Sequence, residues 1–193
     1  MAKSGKDDDS GLAADTAIRL ERLARLLRQT GHSEGLAPTQ WEALRFLARA
    51  SRFSRTPGSV ARYLGTTKGT VSQSLMMLEK KGLLSRRGRG DDQRFVTLRL
   101  TDAGMALLSK DPLRPLRESL DALSGKTRRR LAKGIADVLA EEVTRRNIQS
   151  FGTCSDCRHH REGNSAASAT CMKDEAPLTE SETTLLCIEH VQR

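Results

Sequence analysis

Two short amphipathic segments with a glycine between them constrain the fold of this chain more than any other feature. Residues 59–64 and residues 68–81 both carry apolar side chains at helical spacing, and Gly65 separates the two segments. Thr66 or Thr67 can cap the second helix. The inward face of that helix is predicted to consist of Val71, Leu75 and Leu78. Two helices joined by about three residues that include a glycine form a helix-turn-helix pattern.

Further helices are predicted on both sides of this pair. Helical spacing extends over residues 12–29, and a second helix begins at Pro38 with Thr39 as its N-cap. Thr101 begins another helix, and Ser124 is expected to cap a long final helix over residues 125–147. The predicted core includes Trp41, Phe46 and Leu47.

A β-hairpin is predicted between the helix-turn-helix and the later helices. Residues 85–90 are basic and glycine-rich, and residues 95–100 alternate with period two. The predicted fold is therefore mainly α-helical with one small β-hairpin, which is the order of elements in a winged helix-turn-helix. We call this hairpin the wing.

Charge is distributed unevenly along the chain. The net charge of the 193 residues is +9, and residues 52–99 contain 11 basic and 3 acidic side chains. Residues 149–193 contain 4 basic and 7 acidic side chains. A basic block around a helix-turn-helix indicates a polyanionic partner.

Double-stranded DNA is the partner that these elements suit. The second helix of the pair can enter the major groove, where its first turn offers backbone N–H groups to a phosphate. An arginine at the tip of a wing can enter a narrow minor groove. The candidate DNA-contacting residues are Thr66, Thr67, Lys68, Thr70, Ser72 and Gln73 in the helix and Arg86, Arg87, Arg89 and Arg94 in the wing.

Three blocks of the sequence resemble the MarR family of bacterial transcription regulators. They are residues 36–47 (LAPTQWEALRFL), residues 56–84 and residues 91–104, in the family's order. The last block contains the family's Asp-x-Arg as Asp92 and Arg94. The resemblance implies that these two residues brace the wing. It also implies a homodimer that is built from the first and last helices and binds a pseudo-palindromic operator.

Three regions are expected along the chain. Residues 1–11 are predicted to be disordered, residues 12–148 to form the winged-helix and dimerisation domain, and residues 149–193 to form a separate tail. The chain has no apolar run that could span a membrane and no secretory signal at Met1–Ser10, so we expect a cytoplasmic protein. Phosphate-binding glycine loops and nucleophile constellations are absent from the sequence, which argues against an enzyme.

All four cysteines lie in the tail. Cys154 and Cys157 form a C-x2-C pair, Cys171 follows after 13 residues, and Cys187 follows after a further 15. Such a group in a reducing compartment indicates a metal site. His159, His160 and His190 could replace a ligand, although four thiols already complete a site. Residues 163–170 are too polar to fold by burial, so the tail is expected to need its metal.

Two kinds of centre suit four thiolates: an iron–sulfur cluster or Zn²⁺. The segment from Cys154 to Cys187 loosely resembles the small [4Fe–4S] subunits of some glycyl-radical enzymes, which implies an iron–sulfur cluster. The wide spacing of Cys171 and Cys187 is unlike the second close pair of a zinc ribbon.

Three functions remain open on the sequence alone. The first is a regulator, expected to be a repressor, whose centre senses iron, oxygen or redox stress; loss of the metal would release the helix over residues 125–147. The second is a repressor that responds to a small molecule, with the tail as a structural zinc site. The third is a thiol oxidoreductase that uses Cys154 and Cys157, although the tail lacks the α/β context of a thioredoxin-like motif.

Overall fold

A computed structural model describes residues 5–29, 32–89, 92–163 and 169–193, with side chains except at 5–10, 89 and 92–95. Its helices are α1 (Gly5–Gln29), α2 (Pro38–Arg49), α3 (Pro57–Leu64), α4 (Lys68–Lys80), α5 (Asp102–Leu107), α6 (Arg114–Asp121), α7 (Gly125–Arg145) and α8 (Glu180–Thr183). Its strands are β1 (Leu84–Arg89), β2 (Asp92–Leu100), β3 (Gly152–Thr153), β4 (His160–Glu162), β5 (Ala169–Cys171), β6 (Ala176–Leu178) and β7 (Leu186–Cys187). The mainly helical fold with a small wing is thus confirmed.

Hydroxyl caps set the starts of most helices in the DNA-binding part of the chain. The Thr67 hydroxyl accepts a hydrogen bond from the Thr70 N–H at 3.2 Å, which begins α4. Thr101 and Ser124 cap α5 and α7 in the same way, as predicted. Gly65 has a φ of 60°, the left-handed conformation in which a glycine ends α3 without a steric penalty.

One predicted N-cap and one predicted helix start were wrong. Thr39 is not an N-cap, because α2 begins at Pro38 and the Gln40 side chain accepts from the Ala37 N–H at 2.8 Å. Proline suits the first helical position because its fixed φ is already helical. The first helix begins at Gly5, so it includes much of the segment 1–11 that was expected to be disordered. That segment has no proline, and acidic residues near a helix start are favourable to the helix dipole.

One hydrophobic core joins α2, α3, α4 and the wing. Trp41 and Phe46 of α2 are its largest buried side chains, as predicted. The predicted inward face of α4 is also buried; its residues are Val71, Leu75 and Leu78. Leu84 of β1 and Leu98 of β2 complete the core from the wing. The core therefore fixes the angle of α4 relative to the wing.

The wing is an antiparallel hairpin, as predicted. Leu84 pairs with Leu100 and Arg87 pairs with Thr97, and the register shifts between Arg87 and Arg89. Gly104, just after β2, lies against the backbone of Leu83: a Cβ on it would be 2.1 Å from the Leu83 carbonyl oxygen. The start of α5 is therefore held against the base of the wing.

The tail (residues 149–193) forms two small sheets and packs against the helical core. β3 pairs with β7, and β4, β5 and β6 form a three-stranded antiparallel sheet. The Phe151 ring contacts the rings of Phe46 and Tyr63, with centroid distances of 5.7 and 5.1 Å. The tail is thus anchored to α2 and α3 by aromatic contacts.

Helices α1 and α7 expose many apolar side chains. Among the largest exposed fractions are those of Leu12, Ile18, Leu26, Val138 and Leu139, which range from 52% to 64%. Exposed apolar side chains in such number mark an interaction site in a monomer. Within the described residues, no helix is apolar over a length that would cross a lipid bilayer.

We expect Gly104→Ala to lower the free energy of unfolding by about 1–3 kcal/mol, because the added methyl must push the Leu83 carbonyl aside. Gly134→Ala in α7 is the matched control, since a Cβ there meets nothing within 4 Å. The control should raise stability by about 0.5–1 kcal/mol through helix propensity. Urea unfolding followed by circular dichroism measures both, and equal effects would contradict the proposed backbone contact.

Removal of the α4 cap should also be measurable. Thr67→Ala leaves the Thr70 N–H without its side-chain acceptor, which we expect to cost about 1 kcal/mol of unfolding free energy. Thr66→Ala, one residue earlier and outside the cap, serves as the control in the same urea experiment. A larger loss in Thr66→Ala than in Thr67→Ala would be inconsistent with this cap.

Candidate nucleic-acid interface and cysteine cluster

One side of α4 is polar and open to solvent while the other is buried in the core. Thr67 and the predicted DNA-contacting residues within the helix are exposed; these are Lys68, Thr70, Ser72 and Gln73. Thr66 is partly buried in the turn before them. The Thr67 hydroxyl is also 3.0 Å from the Thr70 hydroxyl, so both belong to the cap. Lys68, Ser72 and Gln73 therefore present the functional groups most available to a ligand.

Two predicted DNA-contacting arginines of the wing, Arg86 and Arg87, have different surroundings. Arg87 is exposed, whereas Arg86 is partly buried and forms an ion pair with Glu79 of α4 at 3.0 Å. This ion pair links the wing to α4, a contact that the sequence did not reveal. The predicted side chains of Arg89, Asp92 and Arg94 lie outside the described residues, so their contacts and the expected bracing role stay predictions.

The four cysteines of the tail converge on one small cavity. Cys154, Cys157, Cys171 and Cys187 are free thiols with exposed fractions between 5% and 8%. All four line the cavity, together with His159, His160, Lys173, Leu178 and Glu189. We call these four residues the cysteine cluster. Within the part of the chain that the structure describes, no three Cys, His, Asp or Glu side chains form a group that could hold a metal ion.

Hydrogen bonding makes the four thiols unequal. The Cys154 thiol donates to the sulfur of Cys187, which lowers the pKa of Cys187 to about 6 and raises the pKa of Cys154. The hydroxyl groups of Ser51 and Ser54 beside Cys187 lower its pKa further. Burial raises the pKa of Cys171. Cys187 is therefore the sulfur that most readily carries negative charge.

The three tail histidines differ in their position relative to the cysteine cluster. His159 and His160 line its cavity, and the His160 Nε2 is buried without a hydrogen-bond partner. The opposite ring nitrogen of His160 is 3.2 Å from the Arg193 guanidinium. His190 is buried, with its Nε2 3.5 Å from an Asp156 carboxylate oxygen. His190 also packs against Gly152, where a Cβ would lie 2.5 Å from the ring.

A loop between α2 and α3 touches the cysteine cluster, and sequence reasoning missed its role. We call residues 50–56 the junction loop. Phe53 packs against the cluster, and Ser54 is fully buried beside it. The sequence marks this segment only as polar and proline-bounded, because contacts across more than a hundred residues leave no periodic signal. Two serines that flank an aromatic residue, in Ser51–Ser54, were the one available hint.

Comparisons with known proteins agree on a single family. The family model described as "MarR family" matches residues 34–94, which include α2, α3, α4 and β1. A Bacillus subtilis protein named as the uncharacterized HTH-type transcriptional regulator YdgJ is 31% identical over 120 residues, which cover 61% of this chain and 68% of that protein.

Solved structures share the fold. A MarR/EmrR family regulator from Acinetobacter sp. ADP1 has a TM-score of 0.54 and 20% identity, covering 69% of this chain and 98% of that chain. The S. aureus MepR–DNA complex has a TM-score of 0.53 and 20% identity, covering 65% and 96%. A probable transcriptional regulator from Pseudomonas aeruginosa has a TM-score of 0.50 and 26% identity, covering 66% and 98%.

Family membership decides the general class of activity. Proteins of this family are DNA-binding transcription regulators rather than enzymes, and the family match includes the helix-turn-helix itself. The exposed polar side of α4 and the wing beside it are consistent with that class. The chain belongs to the MarR family of winged-helix transcription regulators.

Proposed function

We propose that this regulator binds double-stranded DNA as a homodimer, with α4 in the major groove and the wing at the adjacent minor groove. The proposal is supported by the difference between the two sides of α4. Its apolar side is buried in the core, while Lys68, Ser72 and Gln73 are exposed on the other side. Amide and hydroxyl groups can read base edges in the major groove, and a lysine can neutralise a phosphate.

The residues of the interface divide into two roles. Lys68 and Arg87 are exposed cations at the start of α4 and on the wing, and we assign them to phosphates. Thr66, Thr67 and Thr70 surround the helix start, where backbone N–H groups suit a phosphate. The arginines assigned to the minor groove are Arg89 and Arg94. Arg86, which was also a predicted DNA contact, is better assigned to the ion pair with Glu79 that holds the wing against α4.

The homodimer is supported by the apolar surfaces of α1 and α7. Leu12 and Ile18 of α1 and Val138 and Leu139 of α7 are more than half exposed in the single chain. Burying such side chains against a second copy is favourable, at roughly 25 cal/mol for each Å² removed from water. A two-fold dimer would present two copies of α4 to a pseudo-palindromic operator. Such a regulator acts in the cytoplasm, where bacterial DNA lies.

Selection of binding sequences from a random duplex pool tests the DNA-binding proposal. We expect wild-type protein to enrich a pseudo-palindrome and its affinity to fall steeply with salt, by about one log unit per log of salt for each phosphate contact. Lys68→Ala and Arg87→Ala should weaken binding to all duplexes and reduce that slope. Gln73→Ala should mainly change which sequence is enriched.

The matched control is Lys126→Ala, which removes an exposed lysine at the start of α7, away from α4. Its DNA affinity and salt slope should equal those of the wild type. Equal affinity in Lys68→Ala, Arg87→Ala and the control would overturn the assignment of phosphate contacts to α4 and the wing.

We further propose that the cysteine cluster holds a metal centre and that this centre tunes DNA binding. Four buried free thiols around one cavity support the proposal, since buried thiols of this number and proximity are the donor set of Zn²⁺ and of iron–sulfur clusters. The unpartnered His160 Nε2 at the same cavity is a further donor. The sulfurs must rearrange to become ligands, because no three donors among the described residues form an ion-binding group.

The kind of centre decides between the sensory and the structural role. An iron–sulfur cluster suits the sensing of iron, oxygen or redox stress. The resemblance to small subunits of some glycyl-radical enzymes implies the [4Fe–4S] type. Zn²⁺ suits a structural site, with a small-molecule effector as the signal instead. The thiol oxidoreductase does not fit the family, whose members are DNA-binding transcription regulators rather than enzymes.

Anaerobic purification with a visible spectrum and elemental analysis separates these centres. We expect bound metal in the wild type and its loss in Cys154→Ser and Cys187→Ser, because each variant removes one thiolate of the donor set. Ser155→Ala, in the same turn, is the control and should keep the wild-type metal content. A colourless, iron-free protein would overturn the proposal of an iron–sulfur cluster, and a protein free of all metals would overturn the proposal of a metal centre.

A further inference from the structure

The tail meets the DNA-binding part of the chain at the junction loop. The Ser51 N–H donates to the Leu186 carbonyl at 2.7 Å. The Ile188 N–H donates to the Ser54 hydroxyl at 2.8 Å, and Ser54 has no exposed surface. The Arg52 guanidinium forms an ion pair with Glu182 at 3.0 Å. The buried part of this contact therefore involves the residues immediately before and after Cys187.

Cys187 itself lies against the same loop. The Ser51 hydroxyl donates to the Ser54 hydroxyl at 3.2 Å, and both hydroxyls lower the pKa of the Cys187 thiol beside them. Phe53, between the two serines, packs against the cysteine cluster. Buried polar groups must keep their hydrogen-bond partners, so a displaced Cys187 moves Leu186 and Ile188 and, through their hydrogen bonds, both serines.

The other end of the junction loop is attached to the DNA-binding elements. The Leu98 N–H of β2 donates to the Arg55 carbonyl at 2.7 Å. The Thr56 hydroxyl accepts from the Ser59 N–H at 3.1 Å and caps α3, which precedes α4. The loop thus lies between the cysteine cluster on one side and both the wing and the helix-turn-helix on the other.

We propose that the junction loop transmits the state of the cysteine cluster to α4 and the wing, by way of the hydrogen bonds of Ser51 to Leu186 and of Ser54 to Ile188 on either side of Cys187. This inference rests on the proposed metal-dependent DNA binding. Cys187 would be one of the four thiols that hold a cation, and its movement on binding would displace Leu186 and Ile188 relative to the junction loop. The loop then shifts, and the cap of α3 and the Leu98 hydrogen bond shift with it. This route through α3 replaces the release of helix 125–147 that the sequence suggested.

The test compares two forms of the reduced full-length protein, metal-free and loaded with Zn²⁺ alone as the probe. Affinity is measured for the duplex enriched from the random pool. In the wild type we expect the two forms to differ at least about fivefold in Kd, the lower end of typical coupling between sites. In Ser54→Ala the two forms should differ by less than about twofold, with the bound Zn²⁺ retained. The matched control Ser181→Ala, in α8, should keep the wild-type ratio.

The possible failures are distinguishable. Equal Kd values for the metal-free and the Zn²⁺-loaded wild type would overturn the proposal that metal tunes DNA binding, and this inference with it. If the Kd values of the two forms of Ser54→Ala differ as much as those of the wild type, this inference alone is overturned and metal-dependent binding is left intact. Where Ser54→Ala does not fold, Phe53→Leu gives a second perturbation of the same contact and should reduce the ratio in the same direction.

Hydrogen exchange on the full-length protein gives a readout that simple destabilisation would not reproduce. Zn²⁺ should change amide protection in residues 50–64 of the wild type, which include the junction loop and α3. In Ser54→Ala the change should be confined to the tail. Protection that changes in residues 125–147 and not in residues 50–64 would contradict the route through the junction loop.

Discussion

An eight-residue helix is too short to be stable in water, and the DNA-binding motif of this protein contains one. α3 holds its conformation because its Val60 and Ala61 are buried in a core shared with α2, α4 and the wing. The same core orients α4, whose buried side leaves its polar side open. The geometry offered to DNA is thus a consequence of core packing, and any contact that shifts α3 also shifts the surface that DNA would meet.

The tail is attached to this core beside α3 and at the loop that precedes α3. Phe151 packs edge-on against the stacked rings of Phe46 and Tyr63, and the strand around Cys187 hydrogen-bonds to the loop that precedes α3. The tail has little apolar material of its own: its buried cluster consists of three cysteines and Leu178. The thiols therefore make up most of this buried cluster, so a change at the sulfurs changes the packing of the tail as well as its chemistry.

Sequence reasoning succeeded where the signal was local. Helical periodicity identified the buried side of α4, hydroxyl caps marked the starts of α4, α5 and α7, and alternation marked the wing. It failed where two local signals competed, as at Thr39, which loses the capping position to the proline before it. It also misjudged the beginning of α1, because a polar composition without apolar periodicity hides a helix.

By itself, the sequence determined the order of elements, the helix-turn-helix, the wing and the clustering of the cysteines near the end of the chain. These features depend on neighbouring residues, whose propensities and spacing are written along the chain. Only the tertiary structure decided that Arg86 bonds Glu79 rather than projecting freely, that the four thiols share one cavity, and that Ser54 bonds Ile188. Such contacts join residues distant in sequence, and their geometry exists only after the core has packed and brought the two segments together.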